Sequence, residues 1–405
     1  MPQPFETLLT SDHCIKCNIC TAACPVAAVT DRFSGPKAVG PQAERFHRPG
    51  ALTAEHSVEW CSGCGVCSLV CPHGVLVAEM NTIAKARLAE RQGIPLRNRL
   101  LGRSERVGQL GSFFAPVSNL PIQNGTLRWL AEKLAGVSRN TAFPRFARPS
   151  FQTWFKNRGD PLSAGFRKVL YFHGCATNYY EPPVGKAAVK VLEQNGCRVI
   201  VGEQNCCGLP MQSNGEFSAA RSYALANVRK LAPFVRDGYL VVGTSTSCTL
   251  ALKHEYQSVL GLDGEDVRLV AGNTYDLFEF LLLLESEGRL DTEFSELPER
   301  VAYHPPCQLK SHCIGHPAAT ILRQIPGVQV IESRAACCGV AGTYGLKAEK
   351  YQVARQVGAL LFREIEDALP SRVACDSETC RWWIAKHTGR EVVHPVEILA
   401  EAYPG

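Results

Sequence analysis

The triplet CCG occurs twice in this 405-residue chain, at 206–208 and at 337–339, and the two copies are 131 residues apart. An apolar run that ends in His and then Cys precedes each triplet, and an apolar run with a polar turn and a further Cys follows it. The flanking cysteines repeat at a spacing of 132 residues, Cys175 with Cys307 and Cys248 with Cys380. Matching offsets at three places indicate a tandem duplication.

Each repeat alternates strand-like and helix-like segments, and its cysteines fall in the loops after the apolar runs. Such alternation predicts an α/β unit with a mainly parallel sheet, whose ligand site lies beyond the carboxyl ends of the strands. We therefore expect four thiols of each repeat to meet there and to bind metal. We call these groups the repeat-1 site (Cys175, Cys206, Cys207 and Cys248) and the repeat-2 site (Cys307, Cys337, Cys338 and Cys380).

The glycine of each triplet is predicted to shape its site. Adjacent cysteines of an extended chain point in opposite directions, so a doublet serves one centre only where the backbone turns sharply. Glycine permits that turn and lets the chain approach a bound group closely. Gly208 and Gly339 are therefore predicted to be cofactor-binding residues.

Other residues near these patterns have less specific interpretations. Three of the nineteen cysteines, Cys197, Cys313 and Cys375, lie outside both patterns, and we expect them to be free buried thiols. His173 and His304 precede the first cysteine of each repeat at matching places. A structural role for these histidines is favoured, and hydrogen bonding to cluster sulfurs is the alternative.

A second repeated pattern occupies the N-terminal residues. The run C-x2-C-x2-C-x3-C-P occurs at 14–25 and again at 61–72 with identical spacing. This is the ligand run of two-cluster bacterial ferredoxins, in which the fourth cysteine of each run binds the other cluster. Zinc sites also use C-x2-C pairs, but two triple-spaced runs that each end in proline favour iron. We assign one [4Fe–4S] cluster to the first cysteine group (Cys14, Cys17, Cys20 and Cys71) and another to the second cysteine group (Cys61, Cys64, Cys67 and Cys24).

Residues 81–168 are strongly basic, with 16 Lys or Arg against 4 Asp or Glu, although the whole chain has a net charge of only +5. A basic segment faces anionic lipid, an acidic partner or nucleic acid, or it is a solvated connector. Within it, GTLRWLAEKLAG at 125–136 places Leu127, Leu130 and Leu134 at helical spacing beside Trp129. An interfacial amphipathic helix has this pattern. A short surface helix packed on the core has it too, and that interpretation is favoured.

The N-terminal sequence MPQPFETLLTSDHC lacks the basic and apolar regions of a secretory signal. The apolar run at 281–284 is far shorter than a membrane span. Together with the cysteine content, these features predict a protein of the reducing cytoplasm, where clustered thiols serve metal or redox chemistry.

The combined pattern resembles a known family. The CCG repeats resemble the cysteine-rich domain of heterodisulfide reductase and its relatives, which include iron–sulfur subunits of glycolate and lactate oxidation systems. The whole order resembles the family of iron–sulfur subunits of anaerobic glycerol-3-phosphate dehydrogenase. The stretches that carry this resemblance are CIKCNICTAACPV at 14–26, GPKAVGPQAERF at 35–46, FHGC at 172–175 and CCGVAGTYGLK at 337–347.

The resemblance implies an iron–sulfur subunit that carries electrons from flavin-containing catalytic subunits towards membrane quinone in anaerobic respiration. It also implies a peripheral position on the cytoplasmic face of the inner membrane, and no nucleic-acid partner is expected. The sequence departs from the family at one point. The fuller CCG pattern ends in C-x2-C, whereas Ser245 and Ser377 stand three residues before the last cysteine of each repeat. The cluster type in the repeats, and ligation by Ser245, Ser377 or Cys375, therefore stay open.

We predict four segments: a mainly helical ferredoxin-type domain with two [4Fe–4S] clusters at 1–80, a basic and proline-broken connector at 81–165, and CCG repeats with an α/β fold at 166–295 and 296–405. No G-x-G-x-x-G or phosphate loop is present, so partners must supply flavin and nicotinamide. An electron-transfer subunit without its own substrate pocket is the favoured function. The alternatives are an iron–sulfur subunit of glycolate or lactate oxidase, direct reduction of a disulfide or a quinone by a CCG cluster, and a scaffold with zinc or structural thiol sites.

Overall fold

The N-terminal residues form short helices around the cysteine runs and one long helix after them. The structure is a computed structural model, and it describes residues 5–46, 56–159 and 165–404. The helices are α1 (Phe5–Leu9), α2 (Ile19–Ala22), α3 (Ala43–Arg45), α4 (Val66–Leu69) and α5 (Val77–Gln92), with 3-10 turns at Thr10–His13 and His56–Trp60 and a π-helical turn at Ala38–Gln42. Helix α5 crosses the predicted domain boundary after residue 80, because its apolar residues from Val77 to Leu88 continue to be buried beyond that point.

The basic middle segment is largely helical. Its helices are α6 (Leu96–Gly102), α7 (Ser104–Phe113), α8 (Ala115–Gln123), α9 (Gly125–Ala135) and α10 (Phe151–Asn157). Pro95 immediately precedes α6 and Pro116 lies in the first turn of α8. A first-turn proline lacks only an N–H that a helix leaves unpaired there, so these prolines begin helices and do not break them.

Helix α9 confirms the helix predicted from GTLRWLAEKLAG. Asn124 caps its start by accepting a hydrogen bond from the Leu127 N–H, and Gly136 ends it in the left-handed conformation. None of the residues of α9 is buried. The favoured interpretation, a helix packed on the core, is therefore wrong.

The duplicated half contains two parallel sheets of the same topology. The strands are β1 (Arg167–Phe172), β2 (Cys197–Ile200), β3 (Leu240–Gly243) and β4 (Thr274–Asp276), then β5 (Arg300–Tyr303), β6 (Gln329–Glu332), β7 (Arg372–Ala374) and β8 (Val392–Val393). The strand orders are β2-β1-β3-β4 and β6-β5-β7-β8, and every pairing is parallel. Val169 pairs with Val199, and Ala302 pairs with Ile331. The predicted α/β fold of the repeats is confirmed.

Helices connect and cover these strands. In the first repeat they are α11 (Gly174–Tyr179), α12 (Pro182–Gln194), α13 (Leu209–Ser213), α14 (Phe217–Arg236), α15 (Thr246–Leu250), α16 (Tyr256–Ser258), α17 (Glu265–Gly272) and α18 (Leu277–Ser286), with a π-helical turn at Ala251–Glu255. In the second they are α19 (Cys307–Ser311), α20 (Pro317–Leu322), α21 (Tyr351–Ala368), α22 (Glu378–Thr388) and α23 (Pro395–Ala402), with a 3-10 turn at Tyr344–Leu346.

The two repeats share one hydrophobic core. Helix α12 of the first repeat packs on α23 of the second, and α18 of the first packs on α20 of the second. The core between them includes Val189, Phe280, Ile321 and Leu399, all fully buried. This reciprocal packing removes apolar surface from both units at once, and such burial is the main stabilising contribution to a fold. Neither repeat therefore completes its core alone.

In the described part of the chain, no helix has the length and apolar character needed to cross a bilayer.

One partly buried residue, Glu255, predicts a pH dependence of stability. Glu255 accepts a hydrogen bond from Gln212 at 3.0 Å, and burial raises its pKa to about 7. The folded state thus holds a proton that the unfolded chain releases at lower pH, so stability falls as pH rises from about 4.5 to 7. We expect Glu255→Gln to be more stable than wild type at pH 8, by roughly 1–3 kcal/mol, and similar at pH 5. Thermal unfolding at both pH values measures this.

The control for this prediction is Glu265→Gln, a change at an exposed carboxylate in the first turn of α17. It should leave the pH dependence of wild type in place. If Glu255→Gln shows the same difference between pH 5 and pH 8 as wild type, the raised pKa is not the cause.

Candidate metal centres

The two N-terminal cysteine runs adopt the same backbone conformation. The second and fourth residues after the first cysteine have positive φ in both runs, Lys16 (64°) and Asn18 (73°) in one and Gly63 (70°) and Gly65 (82°) in the other. Left-handed residues are rare outside glycine, and each costs a non-glycine residue about 1–2 kcal/mol. The shared turn geometry supports a shared role for the cysteines of the two runs.

The first cysteine group lines a single cavity, together with Lys37 and His73. Burial raises the pKa of the Cys20 thiol, and negative charge on Cys14 and Cys71 raises it further. Cys71 is the fourth cysteine of the second run, and it lines the same cavity as three cysteines of the first run. This arrangement agrees with the prediction that the fourth cysteine of one run binds the cluster of the other. Cys17 is exposed, which brings this group to the protein surface.

The second cysteine group is more deeply buried. Burial raises the pKa of Cys67 well above its usual range, and the charges of Cys64, Cys61 and Cys24 act in the same direction. Lys85 donates to the Cys61 carbonyl at 2.8 Å. Desolvation lowers the pKa of Lys85, whereas the charge of Cys61 raises it. A cation beside a group of thiolates favours their charged, metal-binding form.

Three adjacent strands of each sheet carry the loops of the repeat sites. Because β2, β1 and β3 are neighbours, the residues after their carboxyl ends lie together, and the same holds for β6, β5 and β7. In the repeat-1 site, hydrogen bonds from Cys175 and Cys207 lower the pKa of Cys206. Hydrogen bonds with Cys206 and Cys248 raise the pKa of Cys207. The four thiols therefore form one connected group.

The repeat-2 site has the same arrangement. The Sγ atoms of Cys307 and Cys337 are 4.0 Å apart, and those of Cys338 and Cys380 are 3.0 Å apart. All four residues are buried, and no disulfide joins any of the nineteen cysteines. The Gly339 N–H points at the Cys337 Sγ at 3.3 Å. Hydrogen bonds from Cys307 and Cys338 lower the pKa of Cys337, as the matching bonds do for Cys206.

The two CCG glycines permit the predicted turns, with φ of +91° at Gly208 and +94° at Gly339. The space that they leave lies beside a helix and not beside the thiols. A Cβ at Gly339 would stand 1.9 Å from the Ala354 carbonyl of α21, and one at Gly208 would stand 3.1 Å from the Ala220 carbonyl of α14. These glycines therefore allow a close approach of loop to helix, and their role as cofactor-binding residues stays a prediction.

The cysteines outside the patterns have different surroundings. Cys197 is fully buried in the shared core, as expected. Cys375 is also fully buried, but it packs with Cys338 and Cys380. Cys313 is exposed, so the expectation of a buried thiol is wrong for it. It lies in the turn after α19 with φ of 57°, where the chain reverses at the surface.

The two histidines that precede the repeat sites hydrogen-bond to oxygen atoms. The Nδ1 of His173 lies 2.7 Å from the Gly174 carbonyl, and the Nδ1 of His304 lies 2.7 Å from the Ser333 hydroxyl. Burial lowers the pKa of each ring to about 4, so both are neutral at pH 7. In each ring, the Nδ1 atom makes a hydrogen bond of the kind expected for the favoured structural role.

Sequence reasoning missed three charged residues between the repeat sites. Arg381, which directly follows Cys380, forms a buried ion pair with Glu181 of the first repeat. The Trp382 indole donates to the same carboxylate at 2.7 Å. Ser245 donates to the Glu378 carboxylate at 3.1 Å, so this hydroxyl is engaged across the repeats. No motif in the sequence marks these residues, because each pair joins positions more than a hundred residues apart.

The second cysteine group adjoins the repeat-2 site. Cys64 and Val66 pack with Cys307 and Cys337. Burial raises the pKa of Cys64, and the charge of Cys337 is the next largest cause. A Cβ at Gly65 would lie 2.2 Å from the Ser311 hydroxyl of α19, so the two loops are in close contact. The ferredoxin-type region thus meets the second repeat at its thiols.

The thiol sets fit iron–sulfur chemistry by their donor type, since Fe–S clusters are held by cysteine thiolates. In the described residues, no three His, Cys, Asp or Glu side chains are arranged to hold a single metal ion. The thiols of the second repeat are linked instead in a series, from Cys307 through Cys337 and Cys338 to Cys380.

Comparison with known proteins gives family matches for both cysteine-bearing regions of the chain. Residues 10–75 match the family model of a 4Fe–4S dicluster domain, and residues 169–253 and 301–385 match that of the cysteine-rich CCG domain. The chain is 32% identical to a subunit of the anaerobic glycerol-3-phosphate dehydrogenase of Escherichia coli strain K12, over 96% of this chain and 98% of that protein. The chain belongs to this subunit family.

More distant relatives include iron–sulfur proteins as well. The glycolate oxidase iron–sulfur subunit of Escherichia coli strain K12 is 24% identical over 96% of this chain and 93% of that protein. One subunit of the fumarate reductase (CoM/CoB) of Methanothermobacter marburgensis is 25% identical over 88% of this chain and 64% of that protein. The predicted cofactors are confirmed: the dicluster domain carries two [4Fe–4S] clusters, and the cysteine-rich domains point to further clusters. The chain is an iron–sulfur electron-transfer subunit.

Proposed function

We propose that this subunit carries electrons from a flavin-containing dehydrogenase to membrane quinone, and that the dehydrogenase acts on glycerol 3-phosphate. The substrate rests on the similarity to the matching subunit of the glycerol-3-phosphate enzyme. The observation that carries the path is a series of neighbouring sites. It begins at the exposed first cysteine group and continues through the second to the repeat-2 site. The repeat-1 site follows, because α15, which carries Cys248, packs on α19, which carries Cys307.

The ligands in this proposal are the sixteen cysteines of the two groups and the two repeat sites. Bound clusters supply one-electron carriers. The chain contributes shielded positions, since every proposed ligand except Cys17 is buried or partly buried. It also contributes local cations such as Lys85. The segment boundaries at residues 80, 165 and 295 belong to the same proposal.

Helices α6 to α9 and the residue that joins α7 to α8 expose twelve large apolar side chains, which we call the docking face. Monomeric soluble proteins rarely expose contiguous apolar patches of more than a few hundred Å², and larger ones mark membrane or protein contacts. The most exposed member, Leu134, is 80% accessible. The docking face consists of Leu96, Leu100, Val107, Leu110, Phe113, Phe114, Val117, Leu120, Leu127, Trp129, Leu130 and Leu134.

The charge around the docking face favours an anionic membrane. Arg99, Arg106 and Lys133 are exposed on the same helices, and Arg145 and Arg148 are exposed in the segment that follows. Juxtamembrane basic residues each contribute about 1 kcal/mol of attraction to anionic lipid. An apolar surface with a basic margin is the arrangement of interfacial helices. The subunit is therefore proposed to lie peripherally on the cytoplasmic face of the membrane.

The docking face lies directly above the repeat-1 site. Helix α7 packs on α11, where a Cβ at Gly108 would stand 2.6 Å from the Tyr179 ring. Helix α11 carries Cys175 in its first turn. At the start of α7, the backbone of Cys206 hydrogen-bonds to Glu105. Quinone in a docked membrane would therefore approach this site first.

The test replaces two apolar residues of the docking face, each 65% exposed, in the variant Phe113→Glu/Leu120→Glu. We expect binding to phosphatidylglycerol vesicles to weaken at least about 10-fold, because each large apolar side chain contributes about 1.5–3 kcal/mol when buried. Reduction of a membrane-embedded quinone by the assembled complex should fall with it, whereas the iron content should not change. Vesicle flotation and quinone absorbance measure the two effects.

The matched control is Leu225→Glu/Leu360→Glu, which changes two exposed leucines outside the docking face. It should bind vesicles as wild type does. Equal binding by both double variants would show that the docking face does not contact the membrane.

Assays of the complex with glycerol 3-phosphate, glycolate and lactate identify the upstream substrate, and glycerol 3-phosphate is expected to be the electron donor.

A further inference from the structure

The two repeats differ at one position beside their metal sites. When Cys248 is aligned with Cys380, Gly243 at the end of β3 corresponds to Cys375, which directly follows β7. Cys375 is fully buried. It stands five residues before Cys380, not three, and so it lies outside the C-x2-C spacing.

The backbone at Cys375 is fixed from both sides. Its N–H donates to the Val393 carbonyl at 3.1 Å, which continues the pairing of β7 with β8. Its carbonyl accepts from the Arg381 guanidinium at 2.8 Å. The preceding residue, Ala374, accepts from the His304 N–H at 2.9 Å. These bonds hold the Cys375 side chain beside Cys380, in the same buried cluster as Cys338.

Five thiols thereby form an unbroken series in the second repeat. The sulfur separations given above join Cys307 to Cys337 (4.0 Å) and Cys338 to Cys380 (3.0 Å). Cys337 and Cys338 are adjacent in sequence and hydrogen-bond through their side chains, and Cys375 hydrogen-bonds to Cys380. Cys380 is therefore hydrogen-bonded to both Cys338 and Cys375. The fifth thiol joins the series of the other four through Cys380.

The first repeat has no thiol at the equivalent position, and its packing excludes one. A Cβ at Gly243 would lie 2.9 Å from the Thr249 methyl group. Ser245 stands at the C-x2-C position of the first repeat. Its hydroxyl donates a hydrogen bond to the Glu378 carboxylate of the second repeat. The repeat-1 site therefore has four thiols.

We propose that Cys375 is a fifth thiolate ligand of the repeat-2 site, so that the two repeats hold iron–sulfur groups of different composition. The five-thiol group lies next to the second cysteine group, and the four-thiol group lies below the docking face. This inference rests on the proposed function, since it requires that the repeats bind iron.

The experiment compares the full chain with Cys375→Ser and Cys375→Ala after anaerobic purification. Iron and acid-labile sulfide per chain are measured, and EPR spectra are taken in the oxidised and reduced states. We expect both variants to lose or change one signal of the repeats and to contain less iron, while the signals of the two ferredoxin-type clusters stay as in wild type. Cys197→Ser is the matched control, because Cys197 is equally buried but lies in the shared core.

The outcomes separate this inference from the proposed function. Wild-type iron of about eight atoms per chain, four for each cubane, would leave none for the repeats and would overturn both. Iron well above eight, with the same iron and spectra in both Cys375 variants, would overturn only the fifth ligand. A global loss of fold in Cys375→Ser is recognised by loss of the ferredoxin-type signals as well. Cys375→Ala, which buries no hydroxyl, then provides the comparison.

Discussion

Cys64→Ala should interrupt electron transfer between the ferredoxin-type region and the repeats. We expect this variant to lose about four iron atoms per chain, the content of one cubane. Quinone reduction driven by the dehydrogenase should fall to background. The physical reason is position: Cys64 is a proposed ligand of the second cysteine group, and it packs directly against Cys307 and Cys337. Loss of that group leaves the repeat-2 site without a neighbouring carrier.

Iron analysis, EPR and the quinone assay of the assembled complex measure these effects. Dithionite should still reduce the signals of the repeats, because a small reductant does not depend on the path through the second cysteine group. Cys313→Ala is the control, since Cys313 is an exposed thiol outside every site. Wild-type quinone reduction by Cys64→Ala would contradict the proposed order of the sites.

Arg381→Met should strongly destabilise the contact between the two repeats. The Arg381 side chain is only 3% exposed, and it pairs with a Glu181 carboxylate that is 21% exposed. Removing one partner of a buried pair leaves an uncompensated charge, which costs about 3–5 kcal/mol. The variant also loses the bond from Arg381 to the Cys375 carbonyl. Urea denaturation under anaerobic conditions, followed by circular dichroism, measures the loss.

The control for this prediction is Arg268→Met, which breaks an exposed ion pair with Asp263. Exposed pairs contribute about 0–1 kcal/mol, so this variant should stay close to wild type. Adding Glu181→Gln to Arg381→Met should recover part of the stability, because it removes the unpaired charge. Equal denaturation midpoints for Arg381→Met and Arg268→Met would show that the buried pair does not stabilise the repeats.

Much of the fold was predictable because its signals are local or periodic. The offsets of 131 and 132 residues predicted two copies of one unit, and the two sheets have the same strand order. Apolar runs that end in cysteine predicted thiols at the carboxyl ends of parallel strands, where the four members of each repeat site meet. The helix at 125–135 was predicted from the helical spacing of its leucines.

Two of the errors concern exposure, which periodicity does not specify, and a third concerns the role of prolines. Helix α9 was expected to pack on the core, but an amphipathic pattern shows only that one face is apolar and not what covers it. Cys313 was expected to be buried on the general preference of cysteine, and it lies at a surface turn. The prolines of the middle segment were interpreted as breaks in a connector, but Pro95 and Pro116 stand at helix starts, where a missing N–H is harmless.

The ligand chemistry and the duplication follow from local sequence, because the spacing of cysteines along a few residues limits which thiols reach one cluster. Which sites are neighbours depends on how the whole chain packs. The tertiary structure places Cys64 against Cys337, Arg381 against Glu181, and α7 above the repeat-1 site. These contacts join residues separated by more than sixty positions, and the packing of the repeats around one core fixes the contact between Arg381 and Glu181. Local spacing carries no information about such packing, since the core that fixes it forms only when the whole chain has folded.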